Sequence, residues 1–368
     1  MSTKKDKFSF KDKLYMSLAL DLAKAREGLT GTNPSVGCVI VKNDQIISIG
    51  QTSYNGRPHA EHNAIKNCVD DLKGSKMYVT LEPCSHTGQT QPCTNLIIRS
   101  KVSEVFYSIK DIDKRVRGKT YKTLKSRNIK VKIGLLKDRV NQFYLPYFFN
   151  RKNNLPYVSG KIAISKNNLI YSKNKKKITN NLSDRFTHYL RLKNDSILIS
   201  YKTLNIDNPK LNCRLKNMEN FSPQRIILDN SLKMNIKSYL FKTANKDNTI
   251  IFYNKAHKSK ILKFKRKKIK LIKSKIDKYK RFDISIIMKK LYDFGCRNLL
   301  VEGGNELTKN FISKKIFNQF YLFKSSVKLS KKDDYIEFEG FNKLKHNYKK
   351  RLKINSNFGK DTIMLYKN

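Results

Sequence analysis

The sequence predicts an α/β protein of two domains, and three observations predict it. Its 368 residues suit two domains at roughly 100 to 200 residues each. Hydrophobic residues make up 39% of the chain and aromatics 11%, enough apolar material to bury real cores and too much for a disordered basic tail. Short apolar runs of strand length alternate along the chain with segments of helical period, the pattern of layered α/β domains.

Taken in order, Leu14, Leu18, Leu22 and Ala25 mark one face of an opening helix, and residues 36–41 (VGCVIV) form an uninterrupted apolar run that fits a buried strand. A helix over 60–69, a strand over 77–81, a short helix over 93–99 and a strand over 102–109 follow. The first domain is expected to span 1–147, ending where LPYFFNRKNNLP supplies two prolines and an Asn/Lys-rich turn. The second, 155–368, opens with a strand over 158–164 and continues with strands over 196–200, 225–229, 250–253 and 298–302, with helical stretches between several of them. The Lys-rich run 258–280 keeps regularly spaced Ile, Leu and Phe, so it reads as structured elements with solvated basic faces. There is no internal repeat.

Charge points first in a different direction. With 78 Lys+Arg against 29 Asp+Glu the formal net charge is +49, which suggests a polyanion partner. The charge is unevenly placed: residues 1–100 carry 13 Lys+Arg and 9 Asp+Glu, a net of +4, leaving +45 for the rest. That remainder is rich in Lys, Asn and Ile, and a compositional bias explains it better than a nucleic-acid surface. The amino terminus, MSTKKDKFSFKDK, has no apolar core of the kind a signal peptide needs, and no segment approaches a membrane span. A cytoplasmic protein without a membrane partner is expected. Its six cysteines read as thiols or metal ligands, not a disulfide framework.

Chemistry concentrates in His59-Ala60-Glu61, then Glu82-Pro83-Cys84, then Pro92-Cys93. One imidazole and two thiolates suit tetrahedral zinc, and three protein ligands leave the fourth position open, as in a catalytic site. Zinc lowers the pKa of a bound water toward neutrality. Glu61, two residues from His59, can then move protons without coordinating the metal. This is the zinc-deaminase constellation, whose usual form is H-x-E with P-C-x-x-C. Here eight residues, SHTGQTQP, replace the usual two between the cysteines, so a common polynucleotide deaminase fits poorly. His86, inside that spacer, reads as a substrate contact or loop residue.

Three separated segments, Asn33-Pro34-Ser35-Val36-Gly37-Cys38-Val39-Ile40-Val41, His59-Ala60-Glu61 and the run from Thr80 through Cys84 and His86 to Cys93, together resemble the bifunctional riboflavin-biosynthesis deaminase/reductase (RibD) family. The resemblance implies a cytidine-deaminase-like three-layer α/β/α domain in which His59, Cys84 and Cys93 bind Zn2+, Glu61 shuttles protons and Asn33 lies in the pyrimidine pocket. Gln89 stands where the family usually has Lys or Arg, and Asp111-Ile112-Asp113 only partly keeps its D-P-N turn.

The resemblance continues through Lys161-Ile162-Ala163-Ile164-Ser165, Asp195-Ser196-Ile197-Leu198, the run from Thr203 to Pro209, and Val301-Glu302-Gly303-Gly304. It implies a dihydrofolate-reductase-like α/β domain. Ala163, Lys177, Thr203, Asp207, Asn230 and the Gly304 loop would hold NADPH, while Arg191, Leu211, Arg214 and Glu302 would face a ribose phosphate. A Gly-Gly turn before a helix over 306–312 offers backbone N–H groups suited to a cofactor phosphate, and an arginine fork suits the substrate's. Two departures mark this half: S-x-D-G is replaced by Ser165-Lys166-Asn167-Asn168, and Lys177 takes the place of a Trp.

The expected function is therefore two-step: hydrolytic deamination of a phosphoribosylaminopyrimidine, then reduction of its ribose by NADPH. Two rivals stand beside it, a nucleic-acid base deaminase and a deaminase fused to an inactive reductase-like module. Homo-oligomerisation stays open.

Overall fold

The computed structural model describes residues 7–88, 90–173, 177–332 and 334–367. The chain divides into two compact units, Met1–Asn154 and Leu155–Asn368.

In the first unit the elements run α1 (Phe10–Ala25), β1 (Gly37–Lys42), β2 (Gln45–Gln51), α2 (Ala60–Lys66), β3 (Lys76–Leu81), α3 (Cys93–Arg99), β4 (Glu104–Ile109), α4 (Lys119–Lys125), β5 (Lys130–Ile133) and α5 (Lys137–Asn153). The five strands form one sheet in the order β2-β1-β3-β4-β5. The β2-β1-β3 pairs are antiparallel, and β3-β4-β5 are parallel. Alternating side chains enter two cores. Val39, Val41, Tyr78 and Phe106 meet Tyr15, Met16 and Ala19 of α1. Cys38, Ile40, Met77, Val79, Val105 and Tyr107 meet Ala60 and Ala64 of α2 with Ile97 of α3.

Two expectations are corrected here. The buried face of α1 is Tyr15, Met16, Ala19, Leu20 and Ala23, whereas Leu14 is 56% exposed, Leu18 and Leu22 are only partly buried, and Ala25 is exposed. The reason is close approach: a Cβ on Gly37 would lie 1.8 Å from Ala19 O, so the crossing admits alanine and excludes leucine. The Pro146 segment is not a turn but the interior of α5. Proline deletes one helical N–H, and the packing of Tyr144, Tyr147 and Phe148 around it holds the helix until Asn154 ends it in a left-handed conformation.

The second unit runs β6 (Tyr157–Ile164), β7 (Leu169–Ser172), α6 (Asn181–Leu192), β8 (Ser196–Ser200), α7 (Tyr201–Asp207), β9 (Gln224–Leu228), α8 (Tyr239–Lys242), β10 (Thr249–Tyr253), α9 (Lys258–Arg266), β11 (Lys270–Lys273), α10 (Ile284–Asp293), β12 (Asn298–Val301), α11 (Asn305–Ser313), β13 (Gln319–Lys324), β14 (Tyr335–Glu337), α12 (Phe341–Asn347), β15 (Lys350–Lys353) and β16 (Thr362–Lys367). Nine strands build one sheet, β11-β10-β9-β8-β12-β6-β13-β16-β15. It is parallel from β11 to β13 and antiparallel at the β13-β16-β15 edge. Both faces are covered, as parallel sheets require. α10 and α11 pack on the face of Leu198, Ile226 and Leu299, and α6 to α9 pack on the face of Ile197, Ile227 and Ile251. The basic run 258–280 forms α9 and β11, with Phe264 and Ile269 turned inward. No helix among the described residues is long and apolar enough to cross a membrane.

Candidate active sites

His59 is the residue immediately before α2, with extended backbone, and Glu61 occupies the first turn. Their placement depends on α2 lying tight against β2, where a Cβ on Gly50 would sit 2.2 Å from Ala60 O. Cys84 follows β3, and Cys93 opens α3. The three converge: His59 Nδ1 lies 3.6 Å from Cys84 Sγ and 3.4 Å from Cys93 Sγ. With zinc–sulfur bonds of about 2.3 Å and a zinc–nitrogen bond of about 2.0 Å, tetrahedral geometry separates N and S by about 3.5 Å. The donor set and its spacing fit a zinc ion with one open position. Among the described residues this is the one cluster of His, Cys, Asp and Glu with metal-ligand spacing; His86 is not part of it.

Electrostatics agree with the geometry. A hydrogen bond with Cys93 pushes the Cys84 thiol down to about 4, helped by His59 and by the Cys93 N–H, 3.3 Å from Cys84 Sγ. Cys93 is pushed up by its neighbour Cys84 and by burial. The pair thus holds one ready thiolate, and a bound cation favours the second. Burial raises Glu61 above the usual carboxylate range, against the opposing pull of His59, as suits a group that both accepts and returns a proton.

The cavity in front of Glu61 is lined by Asn33, His59, Cys84 and His86 together with Arg57, Asp113, Arg115, Tyr147 and Arg151. Asn33 Nδ2 donates to Gly56 O at 3.1 Å. His86 Nδ1 is buried without a hydrogen-bond partner among the described residues. Glu82 holds the wall: its carboxylate accepts the N–H groups of Gly118 (2.8 Å) and Asp111 (3.2 Å). Asp113 and Arg115 form a two-point pair at 2.5 and 3.0 Å. Of the lining arginines, Arg57 adjoins the His59 segment and was within reach of sequence reasoning. Arg115 and Arg151 arrive from the loop after β4 and from α5, and no local pattern marks them. Gln89 lies outside the described residues.

In the second unit the altered Ser165–Asn168 segment forms a hydrogen-bonded turn. Asn168 takes φ +63°, a left-handed conformation that asparagine tolerates where glycine is usual. Ser165 Oγ accepts from Leu169 N (2.9 Å), and Asn167 bridges to Leu329 through both amide atoms (2.9 and 3.0 Å). At the carboxyl ends of β8 and β12, Thr203 Oγ1 lies 3.1 Å from Ser200 Oγ and accepts the Gly304 N–H at 3.2 Å, so α7 and the start of α11 meet there. A cavity of about 640 Å³ opens beside them, lined by Ser200, Asn230, Glu306 and Leu307 and by Lys202, Lys233, Lys280, Arg281, Lys309 and Lys343. Ligands of parallel α/β sheets bind outside such carboxyl ends.

The remaining expected residues fall as follows. Ala163 on β6 packs with the core beside Phe323. Asp207 ends α7 and is exposed. Lys177 Nζ pairs with Asp184 (2.8 Å) and Asn181 (2.7 Å) and does not line the cavity. Arg191 is tied to Glu302 at 2.7 and 2.9 Å. Leu211 is buried with φ +53°, so its backbone is what it can offer a ligand. Arg214 is exposed, with Nη1 on Asn212 Oδ1 at 2.9 Å. Lys161, whose pKa burial lowers despite Glu302, lies close enough to the Arg191–Glu302 pair to feel both charges.

Comparison with known proteins gives both units relatives. Residues 9–109 match the cytidine and deoxycytidylate deaminase zinc-binding region, and residues 169–363 match the RibD C-terminal domain. The riboflavin biosynthesis protein RibD of Aquifex aeolicus is 31% identical over 97% of this chain and 98% of its own length. That of Actinobacillus pleuropneumoniae is 32% identical over 96% and 94%. A solved structure from Thermotoga maritima, described as a diaminohydroxyphosphoribosylaminopyrimidine deaminase/5-amino-6-(5-phosphoribosylamino)uracil reductase, superposes with TM-score 0.80 at 26% identity, covering 97% of this chain and 98% of that one. The first unit is thus a zinc-binding deaminase domain of cytidine-deaminase type, and the second is a reductase domain suited to a nicotinamide cofactor. Matched from end to end by proteins that join these same two activities, the chain belongs to the RibD family of bifunctional deaminase/reductases of riboflavin biosynthesis.

Proposed function

We propose that the first unit deaminates 2,5-diamino-6-(5-phosphoribosylamino)pyrimidin-4(3H)-one and that the second reduces the product's ribose with NADPH, giving 5-amino-6-(5-phosphoribitylamino)uracil. The observation that carries this reading is the three-ligand cluster of His59, Cys84 and Cys93, with His59, Cys84 and buried Glu61 lining one cavity. Zinc held by those ligands supplies Lewis acidity that brings a water's pKa toward neutrality. Glu61 takes the proton from that water and returns it to the departing amine, Asn33 orients the pyrimidine ring, and Arg57 and Arg151 at the cavity wall suit the ribose phosphate.

In the second unit NADPH supplies the hydride. Ala163, Lys177, Thr203, Asp207, Asn230 and the Gly304 loop would hold it. The six cations of the large cavity favour a cofactor with an additional phosphate, NADPH over NADH. Arg214 meets the substrate's phosphate, Leu211 lends its backbone, and the Arg191–Glu302 pair shapes the wall. The hydrogen-bonded turn that Ser165–Asn168 forms despite its substitutions supports a working reductase over an inactive module. The test supplies the diamino substrate to the purified protein. Ammonia release that depends on zinc and on Glu61, followed by NADPH oxidation, is expected. Ammonia release surviving Glu61→Ala, or no NADPH oxidation with deaminated substrate, would overturn the corresponding half.

A further inference from the structure

The segment 211–214 carries two of the residues read above as substrate contacts, yet it belongs to no helix or strand. Its position is set from α6. His188, 8% exposed and one helical turn before Arg191, has Nδ1 3.3 Å from the backbone N of Arg214 and 3.2 Å from the carbonyl O of Asn212. The thiol of Cys213 donates to the carbonyl of His188 at 3.7 Å. Arg191 Nη1 donates to Asn212 O at 3.2 Å.

Of the two groups that face Nδ1, the Arg214 N–H is the one that needs it, which favours one tautomer of the ring. Asn212 O already accepts from Arg191, whereas the Arg214 N–H has no other acceptor among the described residues. An unprotonated Nδ1 satisfies it, and the ring proton then sits on Nε2. The side chain of Arg214 is aimed by the same segment, through Nη1 to Asn212 Oδ1 at 2.9 Å. Moving the segment therefore moves the guanidinium.

We propose that His188 is a positioning residue of the reductase site: its Nδ1, as an acceptor, pins the 211–214 segment to α6 and so holds Arg214 where the substrate's phosphate arrives. This rests on the reading of Arg214 as a phosphate contact. The charged groups facing the ring are Arg191, Arg214 and Glu302. Burial, with Arg191 and Arg214, lowers the His188 pKa to about 4 against the smaller opposing effects of the Asn212 carbonyl and of Glu302, which keeps the ring neutral near neutral pH.

Steady-state reductase kinetics on the full-length protein test the proposal, with ammonia release by the other unit as the internal control. His188→Leu removes the acceptor and is expected to raise the KM for the deaminated phosphoribosyl substrate about tenfold, the effect of one buried hydrogen bond, with the KM for NADPH unchanged. His188→Asn, whose Oδ1 can stand in for Nδ1, should recover most of the loss. In the wild type the substrate KM should climb as pH falls toward 4, and the Asn variant should lack that component. Nitrogen NMR of the labelled ring should show a protonated Nε2 and a bare Nδ1. A protonated Nδ1, equal losses in the Leu and Asn variants, or parallel loss of NADPH affinity would overturn the proposal. Arg214→Ala separates it from the reading beneath: if that variant raises the substrate KM and His188→Leu does not, only the His188 proposal falls. If Arg214→Ala leaves the KM unchanged, the phosphate reading fails and takes this proposal with it. Should His188→Leu not fold, the Asn variant, the pH profile and the tautomer still decide.

Discussion

Arg191 on α6 and Glu302, the residue after β12, form a two-point ion pair, with Nε to Oε1 at 2.7 Å and Nη2 to Oε2 at 2.9 Å. Burial alone would raise the Glu302 pKa. Arg191, helped by Lys161, outweighs it and keeps the carboxylate charged. The arginine fork is thus occupied by a carboxylate, so in the proposed function Arg214 is the guanidinium left for the substrate's phosphate.

Removing one partner of such a pair strands the other. Arg191→Ala is expected to destabilise the reductase unit by about 3–5 kcal/mol, read by denaturant unfolding, while ammonia release persists. Replacing both residues with leucine should restore much of the stability without restoring reduction. A single Arg191→Ala variant as stable as wild type would show that the pair contributes nothing.

Metal binding and proton transfer should separate by mutation. Cys93→Ser is expected to lose zinc, read by metal analysis, and with it ammonia release. Glu61→Gln should keep a full complement of zinc while the deamination rate falls by about 10²–10⁴. A chelator should silence deamination and leave NADPH oxidation with pre-deaminated substrate intact, because no metal cluster is found among the described residues of the second unit. Loss of zinc in Glu61→Gln would make Glu61 a ligand instead.

What the sequence revealed, and what it hid, follows from how local each feature is. His59, Glu61, Cys84 and Cys93 lie in short runs whose spacing reports metal chemistry directly, and eight of the sixteen strands among the described residues showed as apolar runs. The buried face of α1 did not show, because its register is set by Gly37 on β1 pressing against Ala19 and Ala23, a tertiary constraint that puts alanine at the crossing between the larger Tyr15, Met16 and Leu20. The proline in α5 misled for a related reason: aromatic packing overrode a local breaker. The basic cavity of the second unit draws Lys202, Lys233, Arg281 and Lys343 from four separate segments, and in a chain at +49 no single lysine announces such a role. Asn168 looked like a loss, yet it occupies the left-handed position that the turn requires.

Gly50 offers a test of how the zinc ligand is placed. A Cβ there would meet Ala60 O at 2.2 Å, Ala64 N at 2.5 Å and Ala64 Cβ at 2.9 Å, and two of these atoms belong to the backbone of α2. Gly50→Ala must push α2 off the sheet, carrying His59 and Glu61 with it. Weaker zinc binding and a deamination loss larger than any change in the reductase step are expected. Normal zinc affinity in that variant would mean that α2 tolerates the shift.

The His188 ring should also leave a signature in stability against pH. Its pKa is about 4 in the folded protein and about 6.5 for an unperturbed histidine, so between those values the unfolded chain binds the proton more readily. Stability therefore rises with pH across that window and is lost as pH falls from about 6.5 toward 4. One proton sets a ceiling of about 1.4 kcal/mol per pH unit on the slope. Carboxylates such as Glu302, whose pKa is lowered, lose their contribution in the same direction at lower pH, so the informative quantity is the difference between wild type and His188→Asn. That difference, measured by denaturant unfolding at half-unit steps, should shift against the wild type as pH falls from 6.5 to 4 and level off below. Parallel curves for the two proteins would mean that the ring titrates alike in the folded and unfolded states, and that the cations around it do not hold it neutral.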